Sequence, residues 1–277
     1  MRAAILQSCT GIDPEVSANI LTSAIAKASA DGADMLFTPE MSGVLDRNRS
    51  RSAAVIVTEE EDRVLAAVRE AAAKAGLWMH LGSLALRSGK GDDDRLVNRG
   101  FVIDGSGEIR ARYDKIHLFD IDLPSGESWR ESSAYAPGER AVVVDTPWGK
   151  LGLSICYDLR FPDLYQALSN AGATMLAIPA AFTVPTGEAH WHVLQRARAI
   201  ESSCWVIAAA QSGQHEDGRA TYGHSLVVDP WGEAILDMGT APGVGHAEIE
   251  EGRITEIRAR IPVIAHRRSI GAAEIMA

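Results

Sequence analysis

LSICYDLRFPDL, residues 153–164, decides how the rest of the chain is read. A run of apolar, strand-forming residues stops at Cys156, and the polar turn Tyr157-Asp158-Leu159-Arg160 follows at once. Phe161-Pro162-Asp163 then opens a helix, with proline in the first turn where its missing N–H costs nothing. A strand that surfaces into a helix is the repeating unit of an α/β fold. Backbone N–H groups at such a junction favour negative charge, either a thiolate or an oxyanion. Free cysteine is also among the most buried residue types. On these residues alone, nucleophile and core packing stand level for Cys156.

Working outward, strands and helices alternate along the chain. Ala3 to Gln7 is predicted as a buried strand. Asp13-Pro14 supplies an N-cap and first turn, with Val16, Ile20 and Ile25 as the helical stripe and Gly32 as the stop. Met35 to Phe37 is a short strand ending in Thr38-Pro39-Glu40, and Thr58-x-x-Glu61 is predicted to box the start of a helix that Gly76 closes. Further strands are expected at 78–86, 95–104, 108–114, 141–146, 151–155, 175–179 and 205–210, and a helix from about Glu188 to Ser202. Asp104-Gly105-Ser106-Gly107, Pro147-Trp148-Gly149 and Pro230-Trp231-Gly232 are turns between strands. Residues 87–95 and 120–140 are expected to be polar loops, the second long enough to be functional. With no linker, repeat or low-complexity tract, residues 1–277 are expected to form one domain of layered helix and sheet.

Charge narrows the function. Lys plus Arg number 27 against 37 Asp plus Glu, a formal charge of −10, which speaks against binding phosphate backbones or anionic membranes. The short arginine-rich runs at 47–51 and 266–268 are expected to be a solvated face or a subunit contact. Three widely spaced cysteines make no disulfide framework and suit a reducing, cytoplasmic setting. The N-terminal stretch resembles neither a signal peptide nor a membrane span.

Among chemistry-bearing residues, Cys9 and Cys204 flank apolar strands and fit packing. His190-Trp191-His192 is a poor metal pair, because residues two apart on a helix point different ways and no nearby carboxylate completes a site. The acidic run at 92–94 lacks calcium-loop spacing, and no dinucleotide or phosphate-binding loop is present. Glu40 follows a strand end and can face the same rim as Cys156. Lys115 also follows a strand, among apolar neighbours unusual for lysine. Taken singly, each is read as an exposed loop charge.

Together, FTPEMSG around Glu40, YDKIHLFDID around Lys115 and LSICYDLRFPDL around Cys156 resemble the nitrilase superfamily of carbon–nitrogen hydrolases, across essentially the whole chain. ESSAYAPG (131–138), HWHVLQRARAIES (190–202) and YGHSLVVDPWG (222–232) point to its branch of ω-amidases and deaminated-glutathione amidases. The resemblance implies a four-layer αββα sandwich that forms a homodimer or larger homo-oligomer. It also implies a Glu40–Lys115–Cys156 triad with Glu131 beside it, and calls for no metal or cofactor. The expected reaction is hydrolysis of a small carboxylate-bearing amide to acid and ammonia through a thioester, with deaminated glutathione as first substrate. α-Ketoglutaramate, an N-carbamoyl compound and a nitrile are the alternatives. Arg160 is expected either to fork onto a substrate carboxylate or to pair with Asp158 or Asp163. Phe182 and Thr186, read as loop residues, line the pocket or pack the loop, and Tyr157 contributes its backbone to substrate binding.

Overall fold

The computed structural model describes residues 1–89, 95–122, 126 and 128–276; the acidic run at 92–94 lies outside them. The first sheet holds β1 (Arg2–Gln7), β2 (Met35–Phe37), β3 (Trp78–Arg87), β4 (Leu96–Ile103) and β5 (Ile109–Asp114) in that order. Its far edge beyond β1 is supplied by β16 (Gly243–Glu248). A small hairpin of β6 (Asp120–Asp122) and β7 (Ser128–Arg130) follows. The second sheet runs β15 (Ala234–Asp237), β14 (Leu226–Val228), β11 (Trp205–Ala208), β10 (Met175–Ala177), β9 (Gly149–Leu153), β8 (Val142–Thr146). β12 (Ser212–Gln214) and β13 (Ala220–Tyr222) form a separate hairpin.

Strand alternation builds the layers. In the first sheet Ala3, Ile5, Met35, Phe37 and Val102 turn inward to the same core as Leu151 and Leu153 of the second. The intervening Ala4, Leu6, Leu36, Phe101 and Ile103 turn outward. They meet α1 (Pro14–Ala30) and α3 (Arg63–Ala75), while α4 (Pro162–Asn170) and α5 (Val184–Ser202) pack on the second sheet through Leu168 and Trp191. The result is helix, sheet, sheet, helix: an αββα sandwich. A one-turn α2 (Arg49–Ser52) and the late helices α6 (Glu251–Arg260) and α7 (Val263–His266) complete the elements.

Four sequence expectations change. The buried face of α1 is Leu21, Ala24, Ile25 and Ala28, whereas Val16 and Ile20 are 51% and 37% exposed; the i, i+3, i+4, i+7 spacing of the first set is the truer helical stripe. α3 starts at Arg63 behind Asp62, whose carboxylate accepts from the Leu65 N–H at 2.7 Å. Thr58 and Glu61 bond each other in the preceding turn instead of boxing the helix. α5 begins at Val184, with Pro185 in its first turn, so Thr186 is helical and not in a loop. The segment 120–140 contains the β6–β7 hairpin. As expected, Asp13 caps α1 and Gly76, at φ 62°, closes α3.

Candidate active site

β1, β2 and β3 are mutually parallel, as are β9, β10 and β11, and side chains collect where these strands end. Glu40 follows β2, Lys115 follows β5, and Cys156 follows β9 on the opposite sheet. The rims of the two sheets are tied together there. Ser8 bridges to Gln211, whose side-chain amide also donates to the Glu40 carbonyl at 2.9 Å. Gly82 permits the approach, since a Cβ on it would collide with Pro179, which follows β10 of the second sheet, as well as with the Thr38 and Pro39 carbonyl oxygens beside it.

The Lys115 ammonium, 2% exposed, lies 2.9 Å from Glu40 Oε1 and 2.9 Å from Glu131 Oε2. Asn98, the third residue of β4, donates to Glu40 Oε1 at 2.9 Å and to Glu131 Oε1 at 3.3 Å. The other Glu40 oxygen accepts from the Ala181 N–H at 2.9 Å, and Glu131 accepts from the Phe119 N–H at 2.7 Å. The Cys156 thiol lies close enough to the Glu40 carboxylate for each to shift the other's titration. Glu40, Lys115, Cys156 and Glu131 are therefore one contiguous cluster.

Its electrostatics follow from burial and pairing. Burial pushes the Cys156 thiol well above its ordinary pKa, and the Glu40 charge pushes the same way. Burial also opposes charge on Lys115, but the Glu131 and Glu40 carboxylates override it and hold the ammonium well above the ordinary lysine range. For Glu40 burial is outweighed by the charge and hydrogen bond of Lys115, so its carboxyl is held below the usual value. At neutral pH these directions leave the resting cluster as thiol, carboxylate and ammonium, not as a preformed thiolate.

Cys156 adopts φ 50°, a left-handed backbone that a non-glycine residue holds only under constraint. Its N–H donates to the Pro179 carbonyl at 2.8 Å. Asp158, fully buried, accepts from the Ile155 N–H at 2.8 Å, the His117 N–H at 3.0 Å and the Tyr113 hydroxyl at 2.7 Å. This carboxylate pins the turn that carries the sulfur. Sequence reading passes over Asn98 and names Asp158 only as a partner for Arg160. The signal for Asn98 was a polar residue, fully buried, in the apolar run LVNRGFVI.

The cluster opens into a cavity of about 700 Å³ whose wall includes Tyr157, Phe182 and Thr186. Arg160 lies over the Tyr157 and Phe182 rings at 5.9 and 5.5 Å, and its Nη1 is 3.2 Å from His190 Nδ1. Among the described residues it pairs with neither Asp158 nor Asp163; Asp158 is taken up by the turn. Elsewhere, His192 does meet a carboxylate, contrary to expectation. Asp237 on β15 lies 3.0 Å from His192 Nε2 and 2.9 Å from His224 Nδ1, brought there by the β14–β15 hairpin. The three ligand atoms sit within 4.8 Å of one another, but the two hydrogen bonds already satisfy the carboxylate.

Comparison with known proteins bears on the family and the fold. The carbon–nitrogen hydrolase family profile matches residues 2–259. The chain is 39% identical over 268 residues to a deaminated glutathione amidase of Yersinia enterocolitica, covering 96% of this chain and 93% of that one. The crystal structure of the Caenorhabditis elegans NitFhit protein, a fusion of nitrilase and fragile histidine triad, superposes with a TM-score of 0.88 at 37% identity, over 96% of this chain and 65% of that chain. An amidase from Nesterenkonia sp. AN1 superposes at 0.77 with 27% identity, over 95% and 98% of the two chains; its structure shows acrylamide added to the active-site cysteine.

Proposed function

The chain belongs to the carbon–nitrogen hydrolase family, and from that premise we propose that it is a cysteine amidase cleaving deaminated glutathione. The observation that carries this reading is the buried thiol–carboxylate–ammonium cluster at the strand ends. The likeness to the Yersinia enterocolitica amidase supports the choice of substrate.

In the first half-reaction Glu40 takes the thiol proton as Cys156 Sγ attacks the amide carbon. The carbonyl electron pair moves onto oxygen, where the Lys115 ammonium and the Tyr157 N–H hold it. Collapse breaks the C–N bond while Glu40 returns the proton to the departing nitrogen, leaving a thioester on Cys156. Water then attacks the thioester with Glu40 as base, and the thiol leaves reprotonated. Glu131 keeps Lys115 in position and charged. Cys156, Glu40 and Lys115 supply the nucleophile, the proton carrier and the positive charge, so the scheme calls for no cofactor.

One sequence expectation is corrected by the chemistry of this substrate. Deaminated glutathione is joined through a secondary amide, so its leaving group is cysteinylglycine and not ammonia; ammonia is the product only from a primary amide such as α-ketoglutaramate. We further propose that residues 1–277 act as one catalytic domain, in the cytoplasm, where the three free cysteines stay reduced. No helix among the described residues is long and apolar enough to cross a membrane. Subunits pair through the exposed apolar side chains Val193, Ile200 and Trp231.

The test is a substrate panel: deaminated glutathione, α-ketoglutaramate, N-carbamoyl-β-alanine and a simple nitrile, with Cys156→Ala protein as the blank. Release of cysteinylglycine and 2-oxoglutarate, absent with the variant, is the expected result. Turnover confined to the carbamoyl compound or the nitrile would overturn the substrate assignment, and undiminished turnover by Cys156→Ala would overturn the mechanism.

A further inference from the structure

We infer that Arg49 and Arg87 form a carboxylate-binding site at the mouth of the catalytic cavity, one that reads an anionic group on the departing amine. The inference rests on the amidase reading above and goes on to name which half of the substrate this wall recognises.

Three observations lead there. The cavity, about 700 Å³, has the size that encloses a drug-sized ligand and exceeds the need of a five-carbon keto-amide. Its lining is cationic in an anionic protein: among the described residues, six arginines and Lys115 face it against the carboxylates Glu40, Asp46 and Glu131. Those three are already committed, two to Lys115 and Asp46 to Arg51 at 2.6 Å.

The arginines differ in how they are paired. Arg130 is held by Asp122 at 2.9 Å, Arg219 by Asp217 at 2.6 Å, and Arg47 approaches the same Asp217 at 4.0 Å. Arg49 and Arg87 are fixed instead by neutral acceptors. Arg49 donates to the Arg130 carbonyl at 3.1 Å and to the Ser133 hydroxyl. Arg87 donates to the Ile56 and Ala53 carbonyls at 3.0 and 3.2 Å. Both share one mount, since α2 carries Arg49 and the turn after it supplies the carbonyls that hold Arg87. Their hydrogen bonds orient the guanidinium planes and, among the described residues, bring no carboxylate to either charge, which suits a planar carboxylate ligand.

Position separates this pair from Arg160. Arg160 belongs to the turn after β9, on the nucleophile's sheet, whereas Arg49 and Arg87 come from the other wall, at α2 and the end of β3. A substrate with a carboxylate at each end can set its keto-acid half towards the Tyr157 and Phe182 wall, over whose rings Arg160 lies, and its glycine half towards Arg49 and Arg87.

The experiment compares kcat/KM for deaminated glutathione with that for the same molecule carrying a C-terminal glycinamide, and includes α-ketoglutaramate. Wild-type enzyme is expected to favour the acid by about tenfold, the scale of a charge-assisted contact at a partly open site, and added salt is expected to narrow the ratio. In the Arg49→Gln/Arg87→Gln enzyme the ratio is expected to fall close to one. Arg49→Gln alone, which leaves the Arg87 anchors intact, is expected to give an intermediate ratio. A wild type indifferent to the acid, or a folded double variant that keeps the full preference, would overturn the site. Should the double variant not fold, the wild-type ratio, its salt dependence and Arg49→Gln decide. Turnover of α-ketoglutaramate without either tripeptide form removes this site but leaves the amidase; turnover of none of the three removes both.

Discussion

Cys156 and Cys204 make an informative pair. Cys156 ends the β9 segment and Cys204 precedes β11, both on the second sheet, and they are 7% and 0% exposed. Cys156 itself has a left-handed backbone, at φ 50°, whereas beside Cys204 it is Ser203 that does, at 45°. Burial raises both thiols, Cys204 to about 11 even with the Arg258 guanidinium 3.5 Å from its sulfur. The Cys204 sulfur sits 3.1 Å from the Ala173 and Ser202 carbonyls, which offer a thiol hydrogen bonds but cannot carry its proton away. Cys156 has the Glu40 carboxylate, and behind it the Lys115 ammonium. On the proposed mechanism, what sets Cys156 apart from Cys204 is a proton acceptor with its own counter-charge, not exposure and not a lowered pKa.

Exchanging the two sulfurs for methyl groups tests this most severely. Cys156→Ala is expected to lose about 10⁴-fold or more in kcat/KM on a keto-amide. Cys204→Ala is expected to stay within a few-fold and to lose about 1 kcal/mol of stability by urea unfolding. Comparable activity losses in the two variants would erase the contrast.

The pH profile sharpens it. Glu40 must be ionised to accept the proton, and its carboxyl titrates below the usual carboxylate value. Activity is therefore expected to hold as pH falls to about 4.5, and to drop only below that, as Glu40 gains a proton. Cys156 titrates above its ordinary value, so its alkylation by iodoacetamide is expected to climb without a plateau through pH 9. Glu40→Gln is expected to cost about 10²- to 10⁴-fold in kcat. A plateau in alkylation near pH 7 would mean a resting thiolate and would discard the base role for Glu40.

The smallest effect concerns the turn. Asp158→Asn trades one acceptor oxygen for a donor facing N–H and O–H groups, and is expected to cost about 2–3 kcal/mol in unfolding free energy and roughly tenfold in kcat. If kcat falls with no loss of stability, Asp158 acts on the reaction more directly than through the backbone of Cys156.

Sequence reading reached the elements whose cause is local. Asp13 caps α1 and Gly76 terminates α3, because each depends on a few adjacent residues, and β9 lies on its apolar run, although it ends at Leu153, two residues before that run does. It missed features whose cause lies far along the chain. Asn98 serves Glu40 from 58 residues away, and Asp158 accepts the Tyr113 hydroxyl across 45. Nothing in either local stretch announces its partner. Val16 and Ile20 misled for a related reason: apolar residues at helical spacing fit more than one face, and only the neighbouring sheet decides which is buried.

The order of the chain gives the two-sheet site a consequence during synthesis. Glu40 and Lys115 leave the ribosome well before Cys156, and the edge of the first sheet waits for β16, which pairs along all of β1 from Arg2 to Gln7. On the proposed mechanism a growing polypeptide thus holds base and cation without a nucleophile, then a thiol without a finished frame. The fold postpones its own reactivity until nearly the last strand has been made.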